Sequence, residues 1–337
     1  MPTIAVREDL QYFYLDNGAP DVPNYKTVIM IHGHTFHGAT FKRLLPLAAS
    51  RNIRIIAINR REYPGSTPLG QAERDTLRSG SDEERANLLA NLGVDLACLI
   101  DALIKQLNLP RDIAIVAWSL GNVFLVSLLA SVDVLPTDVK KSLTTSVKHV
   151  ILWDPPSESL GLPLPPGGYI PLYDAELSPE ECLAKFGIWV ASYWKHGNLA
   201  SHDPSQLNYR TPEKEPPPTS ETLGEELFAL ADLTAGEKSD TSILQVHNHN
   251  VLSKLWGKAL FDASVREAWA GSKFTHFYGD ASTWNIIYTG WFLEDKVKSA
   301  ATEKLLVHFK VIKGANHFVM WDNPEGALND LEAIINT

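Results

Sequence analysis

The chain is poor in cysteine, in net positive charge and in long uncharged apolar runs. Two cysteines among 337 residues, Cys98 and Cys182, cannot frame a disulfide scaffold. The 30 Lys and Arg stand against 40 Asp and Glu, a net charge of −10. No cationic stripe is left to meet phosphate groups, so neither nucleic acid nor a membrane surface is expected as a partner. No uncharged apolar run approaches a membrane span in length. Residues 1–10 lack the basic start, apolar stretch and small-residue cleavage site of a secretory signal. A cytoplasmic location is the expectation these absences leave.

Apolar residues make up 45% of the chain, ample for a substantial core in one large domain or two smaller ones. Strand-like runs at 11–15, 27–31, 53–59, 112–117 and 149–153 alternate with helical patterns, the signature of a mostly parallel sheet covered on both faces. Between the third and fourth runs, Leu88, Leu92, Leu96, Leu99, Leu103 and Leu107 recur at helical spacing, and Pro110 closes the segment. After Asp154-Pro155-Pro156 the alternation stops. It resumes with a strand at 273–278 and another at 305–312. The intervening stretch is helix-like near 179–196, 221–233 and 239–260, with a Pro-rich, charged and exposed connection at 209–218.

Trp118-Ser119-Leu120-Gly121 lies between the apolar run 112–117 and the apolar run 123–130. Here a strand must turn sharply into a helix, projecting the Ser119 hydroxyl away from the sheet. Such a turn closes only if its neighbours are small, and Ala117 and Gly121 are small. A hydroxyl is a weak nucleophile at neutral pH and needs a base oriented by a carboxylate. His317, in the loop Gly314-Ala315-Asn316-His317 after the last strand, is the candidate base.

Together with His32-Gly33-His34-Thr35 after the run 27–31, these motifs resemble the α/β-hydrolase superfamily along nearly the whole chain, in the chain order serine, acid, histidine. The elbow reads A-x-S-x-G where the commoner form has Gly first, a difference of one methyl. The resemblance implies an α/β-hydrolase fold: a mostly parallel central sheet flanked by helices, with a helical cap inserted after the strand ending near Trp153. Residues 1–154 and 272–337 would form the core, and 155–271 the cap. It implies an oxyanion hole made by the amides of His34 and Leu120. The segment 59–66 resembles the family's loop after the next strand, where Pro64 and Gly65 enforce a tight turn.

Two carboxylates compete for the acid. Asp154 directly follows the strand 149–153, and Asp280 follows the strand 273–278. Family members using the later strand commonly carry the carboxylate three residues past its glycine, which here is Ser282. That departure favours Asp154, with Asp280 the alternative; a turn or capping residue is the bland reading of either.

His32, His34 and His37 lie close together, as do His247 and His249. The first group is accounted for by the oxyanion loop and the second has no acidic or thiol companion, so no metal is expected, and no cofactor. Cap aromatics, including Tyr193, Trp256 and Trp269, are expected mostly in the core; Trp118, Trp189 and Trp194 are the candidates to wall a substrate pocket. The resemblance implies a serine hydrolase cleaving a carboxylic ester or lactone of a small apolar molecule through an acyl-enzyme. Thioester or C–C bond hydrolysis would use the same triad. The alternative of another class is a receptor-like member that binds without turnover. An epoxide hydrolase or haloalkane dehalogenase would carry an Asp nucleophile, against which Ser119 argues.

Overall fold

The computed structural model describes residues 2–300 and 306–337. Eight strands form one sheet in the order β1-β2-β4-β3-β5-β6-β7-β8. They are β1 (Thr3–Arg7), β2 (Leu10–Asp16), β3 (Lys26–Ile31), β4 (Ile53–Ile58), β5 (Ile113–Trp118), β6 (Val147–Trp153), β7 (Lys273–Gly279) and β8 (His308–Ile312). β1 and β2 run antiparallel at one edge, and β4, β3, β5, β6, β7 and β8 are mutually parallel. This is the α/β-hydrolase architecture the motifs implied.

All six residues of β4 and of β5 are buried, as expected of parallel strands covered on both faces. β1 was not anticipated. This edge strand is five residues long, its apolar run is only Ile4-Ala5-Val6, and only Ile4 is buried. The start expected for the last strand, residue 305, lies outside the described residues.

The leucine stripe forms the helix Asp82–Gln106, opened by a reciprocal cap between Ser81 and Glu84. By length and mean hydropathy it could cross a membrane, yet most of its apolar window is buried inside the fold. It packs on the helix Gly121–Ala130, which follows the elbow. The approach is close at Gly93, where a Cβ would stand 2.4 Å from the carbonyl carbon and oxygen of Ser127.

The stretch after β6 is helical but more broken than its periodicity suggests. The helix Pro179–Ala191 ends where Ser192 becomes extended. The pattern at 221–233 divides into short pieces around Gly224, at φ +51°. That at 239–260 divides into a π-helical turn Gly236–Asp240, a short turn Thr241–Ile243 and the helix His249–Phe261. In this last helix Trp256, Ala259 and Leu260 share a core cluster with Leu125, Leu128 and Leu129, and Trp269 Nε1 donates to Leu129 O. The C-terminal part of the expected cap thus packs against the helix that follows the elbow.

Gly93→Ala tests the helix contact. Alanine favours a helix interior over glycine by about 1 kcal/mol, but overpacking against a fixed backbone costs about 1–3 kcal/mol. The variant is expected to be less stable in urea denaturation; equal or higher stability would show that the two helices can separate without cost.

Candidate active site

Ser119 occupies the turn between β5 and the helix Gly121–Ala130, at φ +56°. Its amide donates to Trp153 O at 2.9 Å, and Asn122 Nδ2 ties Ser119 O and Trp153 O together at 2.8 and 3.0 Å. The elbow presses against the end of β3. A Cβ on Gly121 would lie 2.5 Å from His32 O, and one on Gly33 would lie 2.7 Å from Ser119 Cβ. Gly121 is thus required by backbone contact and Gly33 by the Ser119 side chain, while Ala117, fully buried, is accommodated.

Asp154, at φ +46°, ends β6 ahead of two prolines and is wholly buried. Its Oδ2 accepts from His317 Nδ1 at 2.9 Å and from Ser282 Oγ at 3.1 Å, and its Oδ1 from Gly279 N at 3.0 Å. Burial raises its pKa above the ordinary carboxylate value; the bond to His317, that residue's charge, and the Gly279 and Ser282 donors oppose the rise. An ionised carboxylate only accepts, so Nδ1 carries a proton, and in the neutral ring the lone pair is then on Nε2.

Asp280 has another place. It accepts from Gly314 N at 2.6 Å and faces Lys313 Nζ at 3.1 Å, tying down the loop that carries His317. Among the described residues no hydrogen bond joins His317 Nε2 to Ser119 Oγ, a contact that commonly tightens only around substrate.

The loop after β3 supplies the other side. Among the described residues neither the His34 nor the Leu120 amide has a hydrogen-bond partner, although Leu120 is fully buried. The histidine rings here serve the loop itself. His32 Nε2 accepts from Arg60 N at 2.9 Å, His34 Nε2 meets Thr241 Oγ1 at 3.0 Å, and His37 Nε2 meets Ala229 O at 3.1 Å. Burial lowers the pKa of all three. In the second pair, His247 Nε2 meets Leu77 O at 3.0 Å.

A cavity of about 720 Å³ opens between the helix Pro179–Ala191 and this loop, lined chiefly by apolar groups including Leu183, Ile188, Val190, Leu223, Phe36 and Phe318. None of the three candidate tryptophans lines it. Trp118 stacks on the His317 ring at 4.7 Å between centroids and donates to His317 O, so it backs the base. Trp189 and Trp194 pack edge to face at 5.8 Å in a separate cluster with Trp284 and Trp291. Trp256 Nε1 donates to Ser159 O deep in the core.

Two supporting contacts escaped the sequence reading: Ser282 donates to Asp154, and Asn316 Nδ2 fastens the His317 loop to Ala191 O and Thr219 Oγ1 at 2.8 Å each. Ser282 carried a signal, since it stands where relatives place a carboxylate, and Trp118, beside the serine, could be read either as a pocket wall or as packing behind the elbow.

The sequence matches the alpha/beta hydrolase family over residues 28–331, and the chain belongs to that family. Similar solved structures include a bromoperoxidase from Bacillus anthracis (13% identity, covering 100% of this chain and 99% of that one, TM-score 0.54). A laboratory-evolved variant of potato epoxide hydrolase is similar at 15% identity, 99% and 98% coverage and TM-score 0.56. An esterase from Exiguobacterium antarcticum is similar at 14% identity, 99% coverage of both chains and TM-score 0.53. These likenesses establish the fold. No curated protein matches the chain.

The two carboxylates make a direct comparison possible. Asp154→Asn, which removes the charge facing Nδ1, is expected to lower turnover by up to roughly 10⁴-fold. Asp280→Asn is expected to cost only about 0.5–2 kcal/mol of stability, as for a capping residue, with activity largely kept. Hydrolysis rates of the two folded variants check this, and the reverse pattern would move the acid to Asp280.

Proposed function

We propose that this alpha/beta hydrolase is a serine hydrolase that cleaves a carboxylic ester or lactone of a small apolar molecule through an acyl-enzyme. The observation that carries the reading is that Ser119 on its left-handed elbow after β5, the Asp154–His317 pair after β6 and β8, and two amides without a partner among the described residues follow the C-terminal ends of the parallel strands. Ser119 Oγ attacks the carbonyl carbon while His317 Nε2 takes its proton. The developing oxyanion is received by the His34 and Leu120 amides. His317 then protonates the departing alkoxide, and a water activated by the same nitrogen releases the acid and restores Ser119. Asp154 keeps the imidazole in the required tautomer and balances its charge as it becomes protonated.

The cavity supports the apolar substrate class. Its lining includes Glu180, Glu221 and Asp232 but neither lysine nor arginine, so it offers no countercharge to a phosphate or carboxylate. That disfavours thioesters built on a polyanionic carrier relative to neutral esters. Two unpaired cysteines, Cys98 and Cys182, suit the cytoplasm, where we place the protein.

The test is labelling by a fluorophosphonate probe together with hydrolysis of 4-nitrophenyl esters. The parent chain should label and turn over, and Ser119→Ala should lose both, with turnover down roughly 10³-fold or more. Wild-type-like turnover by folded Ser119→Ala would sink the covalent mechanism, and a parent that binds esters without labelling would leave a binding protein. Val190→Trp, which fills part of the cavity, should shift preference toward shorter acyl chains while the labelling rate holds. An unchanged ranking of acetyl through octanoyl esters would place the acyl site elsewhere.

A further inference from the structure

We infer that Arg60, Tyr63 and the cap residue Asp240 form a buried network that positions and polarises the peptide donating the His34 amide, an inference that rests on the hydrolase reading above. Arg60 follows β4 and is almost wholly buried, and Asp240, 180 residues later in the turn Gly236–Asp240, is completely so. The guanidinium grips both carboxylate oxygens, Nη1 to Oδ1 at 3.0 Å and Nη2 to Oδ2 at 2.6 Å. Two further donors go to the loop after β3, Nε to His32 O at 3.0 Å and Nη2 to Gly33 O at 2.8 Å.

The bond to Gly33 O is the informative one. Gly33 C=O and His34 N–H belong to one planar peptide and point in opposite directions. A cation held on that carbonyl fixes the direction of the N–H. It also draws electron density from the amide, making it a stronger donor, as in any chain of polarised hydrogen bonds. The next peptide is fixed as well. Tyr63 OH donates to Asp240 Oδ2 at 2.5 Å and accepts from Thr35 N at 2.8 Å, which holds Thr35 at φ +67°, while the His34 amide has no partner among the described residues.

Independent contacts press the same cap segment onto the loop. Asp232 N donates to Thr35 O at 2.8 Å and His37 N to Leu230 O at 3.0 Å. A Cβ on Gly236 would stand 2.6 Å from Thr35 Oγ1. The guanidinium carbon stands over two aromatic rings, 4.3 Å from the Phe124 centroid and 5.0 Å from that of Tyr63. With both partners buried, the ion pair is little screened and its bidentate fork sets a single orientation. An ion pair needed only to hold the cap in place could join any two facing surfaces. This one has both remaining guanidinium bonds on the two carbonyls that precede the proposed oxyanion donor.

Arg60, Tyr63 and Asp240 are accordingly positioning residues, and their removal should weaken binding of the transition state more than binding of the ester. Asp240→Asn keeps the shape and removes the charge, while Tyr63→Phe removes one hydroxyl and leaves the ion pair intact. Each would be purified as the full chain and its active serines counted with a fluorophosphonate. Turnover of 4-nitrophenyl butyrate and affinity for a trifluoromethyl ketone, which forms a tetrahedral oxyanion on Ser119, would then be measured. Both kcat per active serine and ketone affinity should fall together by roughly tenfold or more, with KM within about twofold, a smaller loss than deleting an oxyanion donor outright. If Asp240→Asn does not fold, Tyr63→Phe decides alone. A Tyr63→Phe protein with parental kcat, or one losing kcat with unchanged ketone affinity, overturns the inference. A parent chain that neither labels nor turns over ester overturns the hydrolase reading, and this one with it.

Discussion

The site is organised around a carboxylate that no water reaches. Asp154 is completely buried, and an isolated charge in such a place costs several kcal/mol. Three donors offset that cost, from His317, Gly279 and Ser282, at about 1.5–3 kcal/mol for each hydrogen bond to a charged group. They come from the ends of two neighbouring strands and the loops that follow them, while Asp154 itself ends a third. Satisfying one buried charge therefore fixes the relative positions of β6, β7 and the loop after β8. His317 is held in place because the acid has few other partners, and its ring is pressed from behind by Trp118.

The backbone stores strain at the same place. Thr35, Ser119 and Asp154 all adopt positive φ without being glycine, each at a cost of about 1–3 kcal/mol. The sheet can impose these conformations because the surrounding backbone approaches too closely to relax. Gly33 and Gly121 bring the elbow against β3 within distances that exclude any Cβ. The strain is local and its compensation distributed, carried by the fully buried strands β4 and β5 and the helices over them.

Much of this was legible in the sequence, for identifiable reasons. Parallel strands buried on both faces read as unbroken apolar runs, and the strand-to-loop motifs at Gly33, Ser119 and His317 are local. What was illegible is not local. β1 has an apolar run of only three residues, Ile4-Ala5-Val6, too short to mark a strand by itself. In the helix Pro179–Ala191 the sequence showed a conspicuous tryptophan, but Trp189 turns toward Trp194 and the core while plainer residues, Leu183, Ile188 and Val190, face the cavity. Periodicity shows that a helix has faces without showing what each face meets. Likewise nothing in the sequence joins Arg60 to Asp240, because a buried ion pair leaves no spacing rule when its partners lie on separate segments. Ser282 is the intermediate case. Its departure from the usual acid position was visible, but its role as a donor to the relocated acid was not.

The cap of this protein is bonded to both loops that flank the serine. On one side Asn316, beside His317, holds Ala191 O and Thr219 Oγ1. On the other, the loop from His32 to His37 is held directly by Leu230 and Asp232, and by Asp240 through Arg60 and Tyr63. A cap swinging away as a rigid lid would break both sets and strand the buried Arg60 charge, a loss on the order of 3–5 kcal/mol for that pair alone. On the proposed reading, substrate enters through the cavity mouth, where Leu183, Ile188 and Leu233 are already exposed, with the cap staying seated. The proposed selection by the cavity wall and the proposed polarising of the His34 peptide from the turn at Asp240 then belong to different parts of one insertion.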